Sequence, residues 1–245
     1  GEAFSLAFGF LARFAPIGNF APKSEEGISV ENGINLRPFA SGLLNIEVVS
    51  ISQMLFVLLL LATVTFDGFT ATLPWANIQN LFQPYLPNIT VVTTLGLILT
   101  GFIFITLYLC FCGLMSLMSG TKLHFLDSAK AFVYTLIPIA LAYHVAHFLM
   151  FLLVQGQLII PLISDPFGFG WNLFGTTDYR LNFRIASPDF YWLTSVIAIV
   201  IGHVIAVFLS HSIALRLIPE RRYALFSQYP MLVLMVGYTI ASLWI

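Results

Sequence analysis

Residues 91–118 run for 28 positions without one charged side chain, and a water-soluble fold has no place for such a stretch. At about 1.5 Å per residue, roughly 20 apolar residues form a helix long enough to cross a hydrocarbon core about 30 Å thick. Comparable segments occupy residues 48–66, 128–153 and 190–215, and another begins near 230 and reaches 245. In lipid each segment must satisfy its own backbone hydrogen bonds, which a helix does and an open strand does not. The expected fold is all-α: a multi-pass integral membrane helical bundle with at least four complete transmembrane helices plus a truncated fifth. The chain opens on Gly1 and stops at Ile245 inside an apolar run, so both ends read as cut and this count as a lower bound.

Composition removes several alternatives. Only 9% of the residues are charged against 59% hydrophobic, with a mean hydropathy of +0.93, so no separate soluble domain fits. Ten basic and eleven acidic residues give a formal charge of −1 without a basic tract, which argues against a nucleic-acid partner. Cys110 and Cys112 are two apart on one helix and point in different directions, excluding a mutual disulfide.

Two regions follow: residues 1–46, an N-terminal interfacial and loop segment, and residues 47–245, the transmembrane domain. The opening apolar stretch reaches Arg13 too soon to span and reads as an interfacial helix. Residues 20–45 carry proline, glycine and acidic side chains with no sustained period, the composition of a loop. Glu47 marks the start of the first span and Asp67-Gly68 its end. Residues 71–88, with Trp75, Tyr85 and three prolines, suit the membrane interface. Asn88-Ile89-Thr90 matches a glycosylation acceptor, a short pattern that also arises by chance. Pro138 should kink the third span because it lacks an amide donor and clashes with the preceding turn. Residues 155–189 form the longest polar-containing connection, and its turn residues and large aromatics suggest an ordered interfacial or re-entrant loop.

Basic residues orient the chain. Arg13, Lys23, Arg37, Lys122, Lys130, Arg216, Arg221 and Arg222 fall on one side, Arg180 and Arg184 on the other. Eight against two places the N-terminal segment in the cytoplasm and the 155–189 loop on the outer side.

The most unusual segment is 202–211, which puts His203 and His211 inside a span beside a row of small residues. Ala198, Gly202, Ala206, Ser210 and Ala214 recur every four positions, a spacing that lets a neighbouring helix approach closely and reads as a helix-packing face. On the third span Ala140, His144, His147 and Phe151 share one face. His144 lies 14 residues beyond Lys130 and His203 lies 13 beyond Phe190 on an antiparallel helix, so both imidazoles are expected near the midplane.

Ionisable side chains at that depth are costly and mark a candidate functional site. Three readings compete. In the first, each imidazole makes an interhelical hydrogen bond and the chain is a purely structural accessory subunit. In the second, His144 or His147 and His203 hold a haem b iron from opposite sides, with His211, deeper towards the cytoplasm, also counted among the cofactor-binding residues, and the protein is a subunit of a larger assembly transferring electrons to or from quinone. In the third, His144 and His203 with Asp67, Tyr143 and Ser210 line a path for protons or a small solute, as in a proton-coupled transporter or channel. Asp67 lies at the end of its span, where an acid can also be a helix terminus meeting water. His124, beside Lys122, reads as a surface histidine. The chain contains no phosphate loop, nucleophile elbow or metalloprotease helix, and no catalytic residue is assigned. The lipid bilayer and other membrane subunits are the partners this reading implies.

Overall fold

The structure is a computed structural model that describes residues 2–20, 33–44, 49–120 and 124–244. Glu47, Lys23 and Lys122, used above to place a span boundary and the orientation, lie outside the described residues, as does half of the N-terminal loop. The protein is an all-α membrane bundle. Among the described residues, five helical runs are long and apolar enough to cross a membrane: Ile51–Thr70, Ile89–Met118, Phe125–Ser164, Pro188–Leu217 and Arg221–Trp244. The chain forms two compact units, one comprising Gly1–Ala140 with Gly202–Ile245 and the other Leu141–Ile201.

The first unit opens with α1 (Ala3–Phe14), followed by a two-stranded antiparallel ribbon of β1 (Ile17–Phe20) and β2 (Gly33–Leu36). Arg37 ties these pieces together. Its guanidinium donates to the carbonyls of Ala12 at 2.7 Å, Arg13 at 3.3 Å and Ala15 at 3.1 Å. Those acceptors lie at the C-terminal end of α1, where helix carbonyls lack intrahelical donors and a cation is favoured. Gly42 permits the approach, since a methyl group there would lie 2.7 Å from Arg37 Cζ. The ribbon departs from the expected loop, and strands of four residues are too short for a sustained period to show in the sequence.

Helix α2 (Ile51–Thr70) starts with a capping box: Ser50 Oγ accepts from Gln53 N–H, and Gln53 Oε1 accepts from Ser50 N–H at 2.9 Å. That box sets the start at Ile51 rather than 48, and the helix runs through Asp67-Gly68 to Thr70 instead of stopping at 66. Met54, Val57, Leu58 and Leu61 form its buried stripe at helical spacing. It packs on α4 (Ile89–Met118), which also carries α10 (Gln228–Trp244) and α5 (Phe125–Val133). Asn88 caps α4 by accepting from Thr90 N–H at 2.9 Å. Tyr108 is fully buried, and its hydroxyl donates to the Ala129 carbonyl at 2.6 Å. Phe104 stacks on Tyr238 with centroids 4.9 Å apart. Cys112 is buried while Cys110 is exposed.

Residues 71–88 contain the helix α3 (Leu73–Phe82), with Pro74 in its first turn, where a missing amide donor costs nothing. Trp75 meets Phe66 edge-on at 5.1 Å, and Gly96 of α4 makes room for both rings. A methyl group at Gly96 would stand 2.9 Å from Phe66 Cζ and nearer still to Trp75 Cη2. A cavity of about 290 Å³ lies beside this cluster.

The third run breaks where proline demands it. A 3₁₀ turn, Tyr134–Leu136, separates α5 from α6 (Ile137–Gln155), which places Pro138 in the first turn of the new helix. The run then extends through a second 3₁₀ turn, Gly156–Leu158, and α7 (Ile159–Ser164), so the loop expected from 155 begins at 165. Pro161 is tolerated for the same first-turn reason. The fifth run bends between α9 (Arg221–Phe226) and α10 and starts well before 230. Its 24 residues are enough to cross.

The second unit contains most of α6, α7, the connecting loop and the start of α8 (Pro188–Leu217). The loop is held by side-chain hydrogen bonds. Gln157 Oε1 accepts from Tyr179 Oη–H and from Asn182 N–H, both at 2.9 Å, while Gln157 Nε2 donates to the carbonyls of Leu153 and Asn182. The Asp165 carboxylate accepts from the amides of Phe169 and Gly170 at 2.9 and 2.8 Å. Gly168 and Gly170 have φ of +70° and +79°, a conformation that side chains disfavour.

Candidate functional site

Helix α8 is a 30-residue apolar helix whose faces differ sharply in exposure. In the first unit Gly202, Ala206, Ser210 and Ala214 are all buried, together with Leu209 and Ile213, whereas Val204, Val207 and Phe208 are exposed. Ala198, the first member of the small-residue row, belongs to the second unit and is half-buried.

His203 and His211 flank that buried stripe, and both bond to the fifth run. Thr239 Oγ1 of α10 lies 2.6 Å from His203 Nε2 and 2.9 Å from the Met235 carbonyl. The tautomer of the His203 ring decides which of the two groups donates in that contact. His211 Nδ1 lies 3.0 Å from Gln228 Oε1, and Gln228 Nε2 donates to the Ala224 carbonyl at 2.6 Å. That second bond fixes which way the amide points, so its oxygen faces the ring and His211 Nδ1–H is the donor. Whenever the His211 ring is neutral, its Nε2 is a lone-pair acceptor. Between the two histidines, Ser210 Oγ is buried with no hydrogen-bond partner among the described residues.

The other pair of histidines stands in the second unit. His144 is half-buried and His147 exposed; Phe148 lies between them, its ring 6.1 Å from His144 and 4.8 Å edge-on from His147. Tyr143, one residue before His144, is buried. Asp67 is exposed near the end of α2, and its carbonyl accepts from Thr70 Oγ1 at 2.7 Å. His124 is exposed at the N-terminal boundary of α5.

No known protein family, curated protein or solved structure matches this chain. Chemical meaning therefore has to come from the geometry itself. Among the described residues, no three His, Cys, Asp or Glu side chains are grouped as a metal site; haem, which takes only two axial ligands, is outside that criterion. The structure brings His203 to Thr239 and His211 to Gln228, neither partner having been singled out from sequence. A signal was present. His203 and His211 lie eight residues apart on one apolar helix, and Gln228 and Thr239 lie eleven apart on the next. In an antiparallel pair those spacings bring two polar groups of each helix to similar levels.

Proposed function

We propose that this chain is an integral membrane subunit of a larger membrane assembly, oriented with its N-terminal segment in the cytoplasm, and that the face of α6 bearing His147 is covered by another component. The observation that carries this reading is the exposure of His147 within the apolar run Phe125–Ser164. Ionisable side chains at membrane depth face a bundle interior or a water-filled cavity because lipid solvates them poorly. Phe148 and Phe151, exposed beside it, supply an apolar surround that a second membrane helix would bury. The exposed apolar residues of α4 and α8 need no partner other than lipid tails.

The test is a photo-crosslinking amino acid at position 147, with position 208 as an exposed control on α8, followed by purification in mild detergent. The reading expects a stoichiometric crosslink to one membrane protein from 147 and not from 208. A monomeric chain crosslinked only to lipid from both positions would refute it.

A haem b version of this reading is favoured by His211. Metal-bound histidines characteristically donate their second ring N–H to a carbonyl, carboxylate or water, which fixes the tautomer and aims the other nitrogen at the metal. Gln228 gives His211 that arrangement. Ligation through His203 Nε2 would break its contact with Thr239. A reduced-minus-oxidised absorption spectrum of the gently purified assembly decides this version, and absence of a haem band removes it.

A further inference from the structure

The second unit contains a cavity of about 990 Å³ where the loop meets the first turns of α8. Met150, Phe183 and Trp192 supply apolar wall, and Arg184, Tyr191 and Ser195 supply polar groups. The volume lies at the upper end of the range of small-molecule sites. Ser195 Oγ already donates to the Ala146 carbonyl at 3.3 Å. The Tyr191 hydroxyl is buried and has no hydrogen-bond partner among the described residues. Arg184 is anchored at its backbone, where its N–H donates to Asn182 Oδ1 at 3.0 Å, and no carboxylate pairs with its guanidinium among the described residues. The cavity is thus lined by a cationic residue and by a tyrosine whose hydroxyl lacks an acceptor among the described residues, beside an apolar wall. Asp189, the acid of the first turn of α8, is exposed.

We propose that this cavity is a binding site for an anionic phospholipid. The Arg184 guanidinium would hold the phosphate, which its planar fork of donors matches. The Tyr191 hydroxyl, closed off from solvent as it stands, would turn to donate to a phosphate or ester oxygen, and an acyl chain would lie along Met150 and Trp192. The location supports this occupant. The residues border the end of a membrane-spanning helix, the level at which Trp and Tyr are favoured and phosphates reside. Burying a tyrosine hydroxyl without an acceptor is unfavourable, and a lipid oxygen removes that cost. A free inorganic anion would satisfy Arg184 but leave the apolar wall unused, and a neutral lipid would leave the charge uncompensated.

The full-length protein in nanodiscs tests this through the fluorescence of Trp192, with Trp192→Phe supplying the background from the other tryptophans. Brominated phosphatidylglycerol and brominated phosphatidylcholine are compared as quenchers at equal mole fraction. Phosphatidylglycerol is expected to occupy the site about fivefold more favourably, the preference one basic side chain near a bilayer surface confers. Arg184→Gln should abolish that preference, Arg184→Lys should retain most of it, and Tyr191→Phe should weaken it. Equal quenching by the two lipids, or a preference undiminished in Arg184→Gln protein with an unchanged melting temperature, would overturn the proposal. Loss of the preference on adding millimolar inorganic phosphate at constant ionic strength would reassign the site to the free anion and equally overturn it.

Discussion

The Thr239 hydroxyl stands 2.6 Å from His203 Nε2 and 2.9 Å from the Met235 carbonyl, so one threonine joins an intramembrane imidazole to the backbone of the next helical run. Such a bond in lipid contributes modestly, about 0.5–2 kcal/mol, because the separated helices find other partners. Thr239→Val keeps the shape and removes the hydroxyl, so it should lower stability by about that amount, while Thr239→Ser should retain most of the bond. Reversible unfolding in mixed micelles measures both. Equal stability of the valine and serine variants would show that the bond contributes nothing.

The buried stripe of α8 makes a second, larger effect accessible. Ala206 is 0% exposed and Val204, two residues earlier, is 64% exposed. Ala206→Leu forces extra methylenes into a closed contact and should cost about 1–3 kcal/mol. Val204→Leu places similar bulk on the outer surface and should be nearly neutral. Thermal unfolding of the two variants in one detergent gives the comparison, and a tolerated Ala206→Leu would mean that the stripe is not closely packed.

The class of fold was legible because lipid imposes a single demand, namely long apolar segments with internally satisfied backbones, and residues 91–118 display it without ambiguity. Pro138 also declared itself, since its ring chemistry allows few positions in a helix. Span ends were less legible because an apolar run does not stop where its helix stops. Ser50 and Gln53 set the start of α2 through a reciprocal bond that the pattern contains but hydropathy does not register. The polar partners were hidden for another reason. Thr239 and Gln228 are ordinary residues until the register of two helices is known, and that register belongs to the tertiary structure. The cavity at Arg184 depends likewise on how the loop closes through Gln157 and Asp165.

Gly96 offers a test in a different part of the first unit. Its missing side chain lets Phe66 and Trp75 rest against α4. Gly96→Val should displace the indole and cost about 1–3 kcal/mol by overpacking. The accompanying signal is a shift in tryptophan emission that is absent when the same substitution is made in a Trp75→Phe background. Normal stability with unchanged emission would refute the close approach.

The last prediction concerns which nitrogen of His211 carries hydrogen. His211 must donate through Nδ1, because the Gln228 amide nitrogen is committed to Ala224 and turns its oxygen to the ring. The neutral ring should therefore hold the Nδ1–H tautomer, which leaves Nε2 of His211 as a lone-pair acceptor. Solid-state nitrogen NMR of histidine-labelled protein in bilayers distinguishes the two tautomers, with His211→Gln assigning the signal. Gln228→Leu removes the acceptor and should release His211 to a mixture of tautomers. The Nε2–H tautomer at His211 in the unsubstituted protein would contradict the hydrogen-bond direction. It would also remove the argument that His211 is prepared to accept a metal at Nε2.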